Sequence, residues 1–416
     1  MTVRMRFPTG PELPVDEVLP ATAQGDPGSV RDGSPLAVGD ERIVDFLTRV
    51  SRRLLAPALA RRHPELGSLG FFLRRRELLR AVERLRAALD PQTLAFPRGV
   101  VFHIPPANVD TVFVYSWALA ALAGNTNVVR ISPRSAAAAD TILEVLNESL
   151  TEADPVVART QRMVTYGHDD AVTAHFSARC DVRVVWGGDG AVNAVRRHPL
   201  APAARDLTFP DRSSFAALSV AGWEVATPAA RRDAVLGFVN DAYWFDQAAC
   251  SSPRAVFLVG DADRAEAVRA EFVGLLGVAA RERGWEVDAA MAVEKRVGAY
   301  GLAADGGVAA MAFPDNLVAA LDLRTPAAAP RHWLGTGTFG FVTVPDLAEL
   351  VPFVRRRDQT LTHFGFEADE LREFARQLAG RGIDRIVPFG AALRFAPVWD
   401  GYDLFREFVR LVTVDA

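Results

Sequence analysis

The chain has 416 residues, 50% of them hydrophobic and 24% charged, with a formal net charge of -4. That composition belongs to a globular protein of two or three domains. It excludes a disordered chain, a fibre and a broad basic surface for nucleic acid or anionic lipid.

No apolar run approaches the roughly 20 residues that span a bilayer, and the amino terminus lacks a signal peptide's apolar segment, so no membrane span and a cytoplasmic location are expected. Cys180 and Cys250 are the two cysteines. They are too few for a disulfide framework, and no Cys/His spacing suggests a metal, which leaves a reactive thiol as an open possibility. Lys295 is the single lysine, a bias of composition.

Residues 1–38 carry Pro, Gly and Asp with weak periodicity, as in Gly25-Asp26-Pro27-Gly28, and read as an extended arm of turns or short strands. Helical spacing of apolar residues follows over Asp40 to Leu59 and over Leu69 to Leu89. The Arg74-Arg75-Arg76 run is assigned to the solvated face of the second helix.

After the breaker Phe96-Pro97-Arg98-Gly99, Val100 to Ile104 predicts a buried strand and Thr111 to Ala123 an apolar helix ending at Gly124-Asn125. A strand over Asn127 to Ile131, a helix over Ala136 to Leu150, and a strand over Val182 to Trp186 follow. The last runs into Gly187-Gly188-Asp189-Gly190 and a helix through Arg197. Such alternation predicts an α/β parallel sheet of the dinucleotide-binding kind, with its ligand at the strands' carboxyl ends.

A helix from about Ala229 to Asn240 leads into the loop Asp246-Gln247-Ala248-Ala249-Cys250-Ser251-Ser252-Pro253, and Arg254 to Val259 predicts a strand. A helix over Ala262 to Arg283, apolar runs at Val308 to Phe313 and Leu317 to Leu323, a loop at Thr325 to Pro330, a strand over Phe339 to Val344 and a helix near Ala368 to Leu378 make a second α/β unit.

A buried cysteine is usually inert packing. Cys250 differs in lying between a helix and a strand among small polar residues, where a thiol can meet a substrate, whereas Cys180 reads as structural. Asn108, after Ile104-Pro105-Pro106-Ala107, is a good helix N-cap, and its amide is equally suited to stabilise an oxyanion. Gly187-Gly188 after a strand suits the approach of phosphates to a helix N-terminus, without the G-x-G-x-x-G fingerprint. Arg130 could meet a ribose or its 2′-phosphate, with Arg134 near in sequence, or face solvent. Ser132 and Trp186 join it as cofactor-binding candidates. His103 reads first as a core residue, and His363 is similarly open.

In order, Ile104-Pro105…Asn108, Gly124-Asn125…Val128-Val129-Arg130, Trp186-Gly187-Gly188 and Asp246-Gln247…Cys250 resemble the aldehyde dehydrogenase superfamily, and within it the acyl-CoA reductase branch, the LuxC-type fatty-acid reductases. The ending Arg385-Ile386-Val387-Pro388-Phe389-Gly390…Leu393…Trp399-Asp400-Gly401-Tyr402 is similar to that branch's carboxyl-terminal pattern. The resemblance covers roughly residues 95 to 416.

It implies a Rossmann-type cofactor domain plus an α/β catalytic domain. The expected division is an arm over 1–38, a cofactor domain over 39–245 completed by an oligomerising return over 385–416, and a catalytic domain over 246–384. By matched position Cys250 takes the role of nucleophile, Asn108 that of oxyanion donor, and Arg130 that of the basic residue at the adenosine ribose. Gly187-Gly188 replaces the family's turn beside the pyrophosphate.

The implied cofactor is NADPH, with NADH as the alternative, and the implied substrate an acyl thioester on CoA or a carrier protein. An acyl-protein synthetase partner and homo-oligomerisation go with it. The oxidising members' Leu-Glu-Leu-Gly-Gly glutamate has no counterpart in Leu207-Thr208-Phe209-Pro210-Asp211-Arg212-Ser213. Without that base an acyl-enzyme persists for transfer or reduction. An aldehyde-forming reductase is therefore expected. An oxidative aldehyde dehydrogenase, an acyl-phosphate reductase and a non-catalytic scaffold stay open. No cation that would activate the thiol is evident, because Arg254 lies past the Pro253 turn.

Overall fold

Val3, Met5 and Phe7 are buried while Thr2 and Arg4 face outward. That is the period of a strand with one covered face. The computed structural model describes residues 1–19, 36–63, 65–106, 112–133 and 137–415. Two units divide the chain, Met1–Pro210 with Phe395–Ala416, and Asp211–Arg394.

The strands of the first unit are β1 (Thr2–Phe7), β2 (Thr9–Pro14), β3 (Thr93–Pro97), β4 (Val100–Ile104), β5 (Thr126–Arg130), β6 (Gln161–Thr165), β7 (Val182–Trp186) and β8 (Arg205–Phe209). Its main sheet has the order β2-β1-β6-β5-β4-β7-β8. β4 to β8 are parallel, and β1 adds antiparallel to β6. The chain leaves β4 toward β5 and β6, then crosses back to β7 and β8. The crevice at the carboxyl ends of β4 and β7 is thus a topological switch point, where α/β sheets take their ligands.

Asp40 caps the helix Glu41–Leu54 by accepting from the Arg42 backbone N–H, and Ile43, Val44, Leu47, Val50 and Leu54 bury one face of it. Their spacing at three and four residues makes that stripe.

In the second unit β9 (Ser213–Ser219), β10 (Pro253–Val259), β11 (Val308–Ala312), β12 (Ala319–Leu323), β13 (Thr338–Val344), β14 (Asp358–Phe364) and β15 (Arg385–Pro388) form a sheet of order β11-β12-β13-β10-β9-β14-β15. All its pairs are parallel except β11 with β12. Ala216, Leu218, Val256 and Leu258 pack on one face, and Phe215, Ala217, Phe257 and Leu361 on the other. Both faces of this sheet are therefore covered, as parallel sheets require.

The chain then returns to the first unit. β16 (Val398–Trp399) and β17 (Tyr402–Asp403) pair as a short ribbon, and β18 (Val409–Thr413) lies antiparallel to β3. Arg98 fastens this return by donating Nε to the Glu407 carbonyl at 3.0 Å and Nη2 to that of Val409 at 2.7 Å.

Several expectations change. Of the arm expected over 1–38, residues 2–14 form β1 and β2 at the edge of the first unit's sheet, and residues 20–35 lie outside the described residues. The Pro, Gly and Asp content of the stretch hid the alternation of Val3, Met5 and Phe7. The boundaries expected at 245/246 and 384/385 fall at 210/211 and 394/395. β9 lies inside the second sheet between β10 and β14, and β15 at its edge, so residues 211–245 and 385–394 fold with the second unit. The helix expected over Leu69 to Leu89 is two, Leu66–Phe72 and Arg75–Ala87, separated at the extended Arg74. Arg74, Arg75 and Arg76 are exposed, and Arg75 pairs with Glu41 and Asp45.

Candidate active site

The helix Pro228–Tyr243 ends in a loop where three consecutive residues, Phe245, Asp246 and Gln247, have left-handed φ of 54°, 54° and 59°. For residues with a Cβ this conformation costs roughly 1–2 kcal/mol each. Gln247 holds it in place. Its Nε2 donates to the carbonyls of Pro253 at 2.8 Å and Thr338 at 3.1 Å, and its Oε1 accepts from the N–H groups of Gly337 at 2.8 Å and Thr338 at 3.2 Å. The amide thus uses both donors and both acceptors. Trp333 Nε1 adds a bond to the Asp246 carbonyl at 2.7 Å.

Cys250 lies three residues before β10 and is neither buried nor fully exposed. The site therefore lies at the amino ends of β9, β10, β13 and β14, opposite to the usual ligand edge of a parallel sheet. Ser214 Oγ donates to the Cys250 carbonyl at 2.7 Å and accepts from the Thr360 N–H at 3.1 Å. Gln359 Nε2 donates to Cys250 Sγ at 3.2 Å. Ser252 Oγ donates to the Asp241 carbonyl at 2.7 Å, tying the loop back to the preceding helix.

Charge is arranged tightly behind the loop. Asp358, fully buried, accepts from Arg331 Nε and Nη2 at 2.9 Å each and from Ser213 Oγ at 2.8 Å. Arg254 is 8% exposed, donates Nη1 to the Arg331 carbonyl at 2.8 Å, and has an Nε with no partner among the described residues. Burial pushes its guanidinium down from the usual value, while the facing charge of Cys250 acts in the opposite direction. Arg254, which lies past the Pro253 turn in the sequence, thus carries a charge that acts on that of Cys250.

Burial pushes the Asp241 carboxyl up to about 7, against the backbone N–H groups of Gly390 and Ala392 that bond it at 2.7 and 2.9 Å. This carboxyl anchors the Phe389-Gly390 turn of the carboxyl-terminal motif to the helix that carries the cysteine loop. The approach is close, since a Cβ on Gly237 would stand 2.9 Å from the Phe389 carbonyl oxygen.

In the first unit Arg130 ends β5 and Trp186 ends β7, on either side of β4. The Arg130 guanidinium lies 4.9 Å from the Tyr166 ring centre and donates Nη2 to the Gly167 carbonyl at 3.2 Å. Trp186 stacks on Phe209 at 3.7 Å and 8°. Arg130 Nε and Trp186 Nε1 are buried without partners among the described residues. Gly187 and Gly188 follow β7, and Gly188 is the N-cap of the helix Asp189–Arg196. Ser132 is half-buried just beyond β5.

Asn108 and Arg134 lie outside the described residues. His103 is fully buried between Ser116 Oγ at 3.1 Å and Asn127 Oδ1 at 2.9 Å, and burial lowers it to about 4. It is a neutral core residue. Burial likewise raises Cys180 to about 12, with its Sγ donating to the Ser177 carbonyl. The stretch Leu207 to Ser213 comprises the end of β8 and the start of β9, and its neighbour Asp206 is occupied by Arg183 at 2.7 and 2.9 Å.

Sequence reading did not identify Ser214, Asp241 or Gln359. They come from three separate elements and share no motif with Cys250.

Among solved structures the chain resembles an NAD-dependent aldehyde dehydrogenase from Sinorhizobium meliloti, with a TM-score of 0.66 and 14% identity over 97% of this chain and 87% of that one. It also resembles methylmalonate-semialdehyde dehydrogenase from Oceanimonas doudoroffii, with a TM-score of 0.65 and 15% identity over 98% and 92%. The fold is that of the aldehyde dehydrogenases.

Two curated relatives are long-chain acyl-protein thioester reductases. That of Aliivibrio fischeri is 25% identical over 348 residues, 78% of this chain and 65% of the relative. That of Photorhabdus luminescens is 26% identical over 331 residues, 77% and 64%. The chain thus spans a little under two thirds of the length of these relatives. The family described as acyl-CoA reductase (LuxC) matches residues 71–284, from the helices before β3 through β10 and the helix after it. With that match covering half the chain, the protein belongs to the acyl-CoA reductase (LuxC) family.

Proposed function

We propose that the chain reduces an acyl thioester to an aldehyde through an acyl-enzyme on Cys250. The observation that carries this reading is the Cys250 thiol itself, half-buried in a hydrogen-bonded loop, with an amide N–H directed at its sulfur. Membership of the acyl-CoA reductase family supports the same chemistry.

Cys250 Sγ attacks the acyl carbon, the carrier's C–S bond breaks, and the carrier sulfur leaves as a thiolate. Asn108 is assigned as oxyanion donor together with the Cys250 backbone N–H, so that charge on the acyl oxygen meets hydrogen-bond donors. Once the acyl carbon has accepted a hydride, its oxygen carries the charge as a thiohemiacetal alkoxide, and re-forming the carbonyl collapses it. Its S–C bond breaks, returning the Cys250 thiolate and releasing aldehyde. The Leu207 to Ser213 stretch holds no glutamate where the oxidising members carry their water-activating base, which supports a thioester that lasts long enough to be reduced.

A nicotinamide cofactor supplies the hydride when bound. The first unit fits such a group, because Arg130 Nε and Trp186 Nε1 are buried donors without partners among the described residues, at strand ends on either side of the switch point. Arg130 and Ser132 would meet the adenosine ribose, while Gly187, Gly188 and Trp186 would line the pyrophosphate side. An arginine at the ribose suits the extra phosphate of NADPH over NADH.

The donor is an acyl chain on CoA or on a carrier protein, a reading that the relatives' names as acyl-protein thioester reductases support, and an acyl-protein synthetase is the proposed delivering partner. Exposed Leu94, Phe96, Leu411 and Val412 on the β3–β18 ribbon support a homo-oligomer. No described helix is long and apolar enough to cross a membrane, and the proposed location is the cytoplasm.

Steady-state assays with NADPH and acyl-CoA, acyl phosphate or free aldehyde test the reaction class. Aldehyde formation from acyl-CoA, lost in Cys250→Ala, is the expected result. Turnover that survives this substitution overturns the reading.

A further inference from the structure

A thiol attacks a carbonyl as its thiolate, and an ordinary cysteine is mostly protonated at neutral pH, with a pKa of about 8.5. Hydrogen-bond donors and positive charge favour the ionised form. Both meet at Cys250. Gln359, the second residue of β14, is fully buried, and its Nε2 donates to Sγ at 3.2 Å. The Thr360 hydroxyl donates to Gln359 Oε1 at 3.4 Å, which turns the amide's N–H side toward the sulfur.

Arg254 is the second residue of β10, nine-tenths buried, with an Nε left without a partner among the described residues. Its charge and that of Cys250 act on each other, with Asp211 and Arg357 as the further charges acting on Arg254. The other carboxylates around the loop are occupied. Asp358 is paired with Arg331, and Asp246 accepts from Thr336 Oγ1 at 3.4 Å.

We propose that Gln359 and Arg254 hold Cys250 as a thiolate, Gln359 by donating an amide N–H to the sulfur and Arg254 by the buried positive charge it carries at the start of the strand that follows the cysteine loop. The thiol proton passes to solvent. Gln359 touches the reacting atom and is a catalytic residue, while Arg254 is a positioning residue acting through the electrostatics of the loop. The assignment rests on Cys250 being the nucleophile, and its test needs neither cofactor nor acyl substrate. A failed thiolate assignment is thereby distinguishable from a failed reaction.

The test is the pH dependence of Cys250 alkylation by iodoacetamide, followed by intact mass in a Cys180→Ser background. The expected midpoint lies at least about one pH unit below that of a short peptide spanning residues 246–253. Gln359→Leu and Arg254→Met should each raise it by about one unit, Arg254→Lys by less, and Gln359→Glu by more, because a carboxylate then faces the sulfur. A midpoint in the unsubstituted site at or above that of the peptide overturns the proposal, and this comparison decides the matter even if a variant does not fold. Folded Gln359→Leu and Arg254→Met proteins whose midpoints both stay within about 0.3 unit of the parent overturn it as well.

Discussion

Ser214 Oγ donates to the carbonyl of Cys250 at 2.7 Å while accepting the Thr360 N–H at 3.1 Å, so one hydroxyl joins the starts of β9 and β14 to the cysteine loop. Ser214→Ala leaves the Thr360 N–H and the Cys250 carbonyl without this partner. The expected cost is about 1–3 kcal/mol of stability. Acylation of Cys250 should slow alongside it. Denaturant unfolding and single-turnover acylation, measured on the same preparation, check both.

The Arg331–Asp358 pair is a second support. Asp358 is fully buried and Arg331 makes two bonds to it at 2.9 Å. Arg331→Met strands a buried carboxylate, and the expected loss is about 3–5 kcal/mol. Arg331→Met combined with Asp358→Leu should recover part of that loss, because the uncompensated charge is gone. Equal losses in the single and double variants would contradict the account.

Much of the framework is legible in the sequence, for reasons visible in particular residues. Val100 to Ile104, Val182 to Trp186 and Arg254 to Val259 are short apolar runs bounded by Gly or Pro, and each forms a strand. β9 and β14 escape that reading because they begin with Ser213-Ser214 and Asp358-Gln359-Thr360, buried polar residues in place of an apolar run. Those polar starts exist to serve the cysteine loop. Cys250 stands out through its loop and its ordered companions, whereas Gln359 lies 109 positions away and reaches the sulfur only through the pairing of β14 with β9. Arg254 lies four residues from Cys250, but its place in β10 reads as packing and hides a charge that acts on the thiol.

Asp241 gives the chain a pH-dependent stability. Its carboxyl titrates at about 7 in the folded chain against an ordinary 3.8, raised by burial. The folded state therefore keeps a proton that the unfolded state has released. The contribution is fully present below about 4 and is lost as the pH rises through about 7. Asp241→Asn should flatten the fall in unfolding midpoint between about pH 4 and 7, while lowering stability overall because an amide N–H then faces the Gly390 or Ala392 N–H. An unchanged slope in the variant would contradict this assignment.

Arg130 is the cofactor-side counterpart. Loss of one charge-assisted hydrogen bond is worth about 1.5–3 kcal/mol, so Arg130→Ala should raise the KM for NADPH roughly ten- to hundredfold with little change in kcat. The increase for NADH should be smaller. Equal effects on the two cofactors would remove the argument for a contact with the 2′-phosphate.

The central claim is that Cys250 carries the acyl group. Incubation of the chain with acyl-CoA in the absence of nicotinamide cofactor, followed by intact-mass analysis and peptide mapping, reads it directly. The account predicts one acyl adduct per chain, mapped to Cys250, absent in Cys250→Ala and discharged as aldehyde when NADPH is added. An adduct on Cys180, or aldehyde production by a chain that never acquires an adduct at Cys250, would contradict it.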